Sequence, residues 1–159
     1  MDSLEKRDYF EHVEFYLNND KSPVLKGDVY INDDSFCEGI VVDGENNSYF
    51  LFGTFKKFDS LNLYVMMNDN QVVVYNGKKV LLRYEGECFL LSGDSLSSFS
   101  MKSSSLEVDP RDYWGGKTPK EEFLEKLKLF KENWLMNEKN NELFNNLTST
   151  DDDEKNVHK

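Results

Sequence analysis

LNLYVMMNDNQVVVYNGKKVLLRYEGECFLL, residues 61–91, is the stretch whose reading decides the fold. Leu61, Leu63, Val65 and Met67 recur at every second position, with Asn62, Tyr64 and Met66 between them. That is the period of a strand with two distinct faces. Asn68-Asp69-Asn70 interrupts the run, and Gln71–Tyr75 resumes it with three valines in succession. Asn76-Gly77 is a strong hairpin signal, because both central residues of a type I′ turn need positive φ. Lys79–Glu85 and Cys88–Leu91 read as two more short strands. Links this short make neighbouring strands antiparallel, since a parallel pair needs a crossover of about a dozen residues or more.

The same texture extends upstream through Val24–Ile31, Phe36–Asp43 and Tyr49–Phe55, and downstream through Leu96–Lys102. Asp43-Gly44 marks another turn. Tyr49–Phe55 is apolar on both faces, with Tyr49, Leu51 and Phe55 on one and Phe50 and Phe52 on the other. A strand of that kind must be covered on both sides. The cover comes from a helix beginning at Thr118-Pro119-Lys120-Glu121: an N-cap threonine, proline at the first helical position and glutamate at capping-box spacing. Its stripe is Phe123, Leu124, Leu127, Phe130, Trp134 and Leu135. Residues 137–147 predict a short or frayed helix that can contact the domain through Leu143, Phe144 and Leu147. Thr148 onward predicts an acidic disordered tail. At the other end, Asp2 and Glu5 have capping spacing, and Tyr9, Phe10, Val13, Tyr16 and Leu17 share one helical face. The expected fold is therefore α+β: an N-terminal helix, a curved antiparallel meander of about seven or eight strands forming an open, barrel-like sheet, and a C-terminal helix packed on it. One domain spans residues 1–147 and the tail 148–159.

The chain has 159 residues and a net charge of −11. Nucleic acid is a poor partner for it, because phosphate binding rests on lysine and arginine that release counterions. An anionic membrane surface is disfavoured on the same ground. A basic protein face is the partner this charge favours. No run of apolar residues reaches the roughly 20 needed for a membrane span, and the opening residues lack the pattern of a secretion signal, so a cytoplasmic location is expected. Cys37 and Cys88 lie in apolar stretches without metal-ligand spacing and are expected to be buried, free thiols.

Catalytic patterns are weak, and neither a cofactor nor a metal is expected. His12 has Asp8 one helical turn earlier, an arrangement that could orient an imidazole. Glu85 and Glu87 flank Gly86 on one face of an extended segment, about 7 Å apart, which is also how the wet face of an ordinary strand looks. Asp33-Asp34 and Asp43–Asn47 do not follow calcium-loop spacing. The most suggestive constellation is on the predicted first helix: Glu5, Asp8, Glu11 and Glu14 spaced by three, with Phe15 among them, as an apolar anchor inside a charged rim. Trp114, before Gly115-Gly116, is a second candidate contact. The expectation is a non-enzymatic protein-binding module, of the kind that acts as a stoichiometric inhibitor or neutraliser of a more basic protein. The alternative is a carrier or sensor holding a small apolar ligand inside the curved sheet.

Overall fold

The computed structural model describes residues 9–67, 71–105 and 119–148. Eight antiparallel strands follow one another: β1 (Tyr9–Leu17), β2 (Leu25–Ile31), β3 (Phe36–Val42), β4 (Ser48–Lys56), β5 (Ser60–Met66), β6 (Val72–Val80), β7 (Arg83–Leu90) and β8 (Ser95–Ser105). Helices α1 (Pro119–Leu135) and α2 (Glu138–Thr148) come after them. Each strand pairs with the next, and β1 pairs with β8, so the sheet is a closed barrel rather than an open one.

Closure depends on residues 9–17, and here the expected N-terminal helix is corrected. YFEHVEFYL is a strand, hydrogen-bonded to β2 on one side and β8 on the other. Its inward residues are Glu11, Val13 and Phe15, all buried, while His12, Glu14 and Tyr16 point outward. The period of two was masked because one inward position is a glutamate. The remaining apolar residues also satisfy helical spacing. The barrel settles the ambiguity: as a strand, the segment satisfies two otherwise open sheet edges.

A second correction concerns Asn76-Gly77. These residues lie in the middle of β6, opposite Glu87 and Gly86 of β7. The turn falls instead on Leu81-Leu82, between the paired residues Val80 and Arg83. The two glycines face each other where the backbones approach closely. A methyl group on Gly86 would collide with the Asn76 carbonyl and lie 2.6 Å from the Gly77 Cα. They serve the bend of a barrel wall rather than a hairpin.

Buried apolar side chains from all eight strands fill the interior, including Phe15, Leu25, Val41, Phe55, Leu63 and Met101. Eight strands enclose a space just wide enough for such side chains. Cys37 and Cys88 are both free and buried there, and burial holds the Cys37 thiol well above its usual pKa.

A second apolar layer lies outside the barrel. Ile40, Phe50 and Phe52 project from β3 and β4 onto Leu127, with Phe123, Phe130, Trp134 and Phe144 around them. Phe50 stacks 4.8 Å from Trp134, and Phe52 meets Phe144 edge-on at 4.9 Å. The two-faced apolar strand is thus covered on both sides, as its sequence requires. Helix α2 is fully formed through Thr148: Asn137 caps it by accepting the N–H groups of Lys139 and Asn140. The Asn140 amide in turn donates to the Trp134 carbonyl at the end of α1. These side chains explain the asparagine-rich composition of the segment.

Candidate functional site

Of the sequence-derived contact residues, the structure describes Glu11, Glu14 and Phe15. Glu5, Asp8 and Trp114 lie outside the described residues. Glu11 and Phe15, expected on an exposed helix face, are inside the barrel at 1% and 0% exposure, because strand alternation turns both inward. Phe15 packs 4.7 Å from the Tyr75 ring. Glu14 alone among the described acidic candidates remains on the outside. An acidic rim around Phe15 is therefore not formed.

The structure brings other groups together in three places. The first is the barrel end where β1 begins. Glu11 accepts a hydrogen bond from the Ser103 hydroxyl at 2.9 Å and pairs with the Lys57 ammonium at 3.4 Å. Lys57 also donates to Ser105 and lies 4.4 Å from the centre of the Tyr9 ring. A buried carboxylate requires such partners, since an uncompensated charge in a barrel interior is costly. Lys57 belongs to the β4–β5 turn, 46 residues from Glu11, so no local sequence signal announces the pair. Its effect is to fasten that turn to β1 and β8.

The second place is the outer face of β1. The protonated His12 ring donates to Asp28 at 3.0 Å through Nδ1 and to Glu14 at 3.2 Å through Nε2. Tyr16 donates to the other Glu14 oxygen at 2.7 Å. Partial burial works against a charged imidazole, but the hydrogen bonds and charges of Asp28 and Glu14 outweigh it and raise the His12 pKa. The Tyr16 and His12 hydrogen bonds lower that of Glu14. Asp8, the carboxylate the sequence set beside His12, lies outside the described residues; Asp28 becomes a neighbour through the β1–β2 register, which no local spacing shows. Ser104, His12 and Asp28 form one row across three strands. The row resembles a nucleophile–base–acid order, but Nε2, the nitrogen needed to activate a serine, is engaged by Glu14. The array reads as a surface ionic network.

The third place is the side of the barrel away from the helices. Where β6 and β7 approach at Gly77 and Gly86, an open groove of about 690 Å³ lies along the outer wall, lined among others by Asn76, Glu85, Glu87, Phe89, Ser98 and Ser100. Glu85 and Glu87 do share one exposed face, as their spacing predicted. The Asp43 carboxylate is used locally: it accepts from Tyr49, Asn47 and Glu45, the Tyr49 bond foremost, which lowers its pKa to about 2. Among the described residues, no group of histidine, cysteine and carboxylate side chains is placed to hold a metal ion, and no helix is long and apolar enough to cross a membrane.

Comparisons with protein-family models, with curated proteins and with solved structures gave no match, so the reading of this surface rests on its own geometry.

Proposed function

We propose that the protein is a protein-binding module that acts through the outer wall of its barrel, and that its partner presents a basic face. The observation carrying this reading is the division of the barrel: apolar side chains take up its interior, helices cover β3 and β4, and the β7–β8 side is left with a polar groove. Carboxylates, amides and hydroxyls beside Phe89 and Phe99, with Lys78 and Arg83 at the same groove, match the mixed polar composition of a protein–protein contact. Exposed Glu85 and Glu87 supply attraction for a basic partner and speed its encounter. A module of this kind serves as a stoichiometric inhibitor or neutraliser. A carrier would need room inside the barrel, where Phe15, Tyr75 and Phe99 pack against one another.

The test is the double variant Glu85→Lys/Glu87→Lys, compared with the parent for association with the protein that co-purifies from the source cells. The reading predicts slower association and a weaker dependence on salt. An association rate unchanged by both substitutions removes this face from the interface.

A further inference from the structure

The barrel end fastened by Glu11 and Lys57 carries a feature that the groove does not explain. Two turns project from it side by side, the β4–β5 turn through Phe58 and the β6–β7 turn through Leu81 and Leu82. They are linked by the Ser60–Lys78 strand pairing and by the Lys79 N–H donating to the Asp59 carbonyl at 2.8 Å. Phe58, Leu81 and Leu82 are 69%, 89% and 92% exposed. Isolated exposed apolar residues are ordinary, but three on adjoining turn tips form a protruding apolar surface.

The backbone makes the choice of residues stranger. Phe58 has φ 72° and Leu81 φ 58°, both in the left-handed region. Turns place glycine or asparagine there, and a bulky side chain costs about 1–2 kcal/mol in that conformation. Neither side chain recovers the cost by burial within the chain.

Cations outnumber the one exposed carboxylate of the β4–β5 turn, Asp59, around the tips. The ammonium groups of Lys57 and Lys79 lie 5.3 and 5.5 Å from the centre of the Phe58 ring. Lys56, Lys78 and Arg83 are exposed beside them, and none of these three forms an ion pair among the described residues. Leu82 also borders an open groove of about 480 Å³ lined by His12, Glu14, Arg83, Lys102, Ser103 and Ser104.

We propose that this end docks on an anionic lipid surface, with Phe58, Leu81 and Leu82 entering the headgroup–acyl boundary and Lys56, Lys78, Lys79 and Arg83 contacting the phosphate and carboxylate headgroups. A convex apolar tip inside a cationic collar fits a fluid interface, which needs no matching pocket. Each cation near such a surface adds attraction, and the net charge of −11 does not cancel it, because charges farther than a Debye length of about 8 Å are screened. Lys78 and Arg83 also line the Glu85–Glu87 groove, whereas Leu81 and Leu82 do not, so the leucine variant separates the two assignments.

The experiment is co-sedimentation of the full chain with phosphatidylcholine vesicles, with and without phosphatidylserine. Two variants accompany it: Leu81→Asn/Leu82→Ser, and Lys56→Glu/Lys78→Glu. The proposal predicts binding only when phosphatidylserine is present, weakened about tenfold or more by each variant. The leucine variant should keep or raise the thermal midpoint, since asparagine suits positive φ. Failure of the parent chain to sediment with phosphatidylserine vesicles overturns the proposal, as does binding that the leucine variant leaves unchanged.

Discussion

At the scale of single residues, strand alternation decides which side chains fill the barrel and which face outward. Phe15 is fully buried against Tyr75 and Phe99. Phe15→Ala should cost about 3–5 kcal/mol of stability in urea denaturation, with no separate effect on binding. Removing one partner of a buried ion pair strands the other. Lys57→Met should therefore cost about 3 kcal/mol, and the double replacement Glu11→Leu/Lys57→Met should recover much of it in a double-mutant cycle. His12 is expected to show its contribution in the pH dependence. Its pKa is raised, so the stability it adds is complete below its ordinary value of 6.5 and is lost as pH rises through the folded-state value. The Glu14 pKa is lowered, so its contribution is present above 4.5 and is lost as pH falls through the folded value. The stability difference between the parent and His12→Gln should thus be greatest between these two ordinary values and shrink at higher pH. Thermal melts across pH measure it. A difference that grows towards alkaline pH would contradict the assigned network.

At the scale of elements, much of the structure was legible in the sequence. The strands from Leu25 to Met66 lie within about two residues of where alternation placed them. The double-faced apolar pattern of Tyr49–Phe55 also called for the helix found over it. What could not be read locally was anything fixed by register. β1 resembled a helix because the partner of its inward glutamate, Lys57, lies far away in sequence. Asn76-Gly77 resembled a turn because the chemistry of Asn-Gly suits one. The real turn at Leu81-Leu82 has no turn residue at all. Register also made Asp28 the neighbour of His12. The glycine pair gives a direct check of the wall geometry. Gly86→Ala meets only backbone, that of Asn76 and Gly77 in β6, and should destabilise by about 3 kcal/mol or more. Gly77→Ala meets the movable edge of the Phe99 ring at 3.1 Å and the Glu85 carbonyl at 2.9 Å, and should cost less. Equal costs would mean that the two strands do not approach as closely as described.

At the scale of the whole molecule, the surfaces have different tasks. The barrel interior and the layer beneath the helices are apolar and provide stability. The β7–β8 side is polar, and one barrel end is apolar and basic. The chain-wide charge of −11 pointed to a basic partner and away from anionic surfaces. Lys56-Lys57 and Lys78-Lys79 stand beside Phe58 and Leu81 in the sequence, and the fold brings these two basic pairs onto adjoining turns. The central claim is that recognition occurs on the outside of a filled barrel. Native mass spectrometry of the protein purified gently from its source cells, followed by cross-linking of the complex, tests it most directly. The account predicts a protein adduct whose cross-links fall on Lys78 and Lys102, the lysines flanking the β7–β8 side. A small-molecule adduct in place of a protein, held by a barrel opened to receive it, would contradict the account.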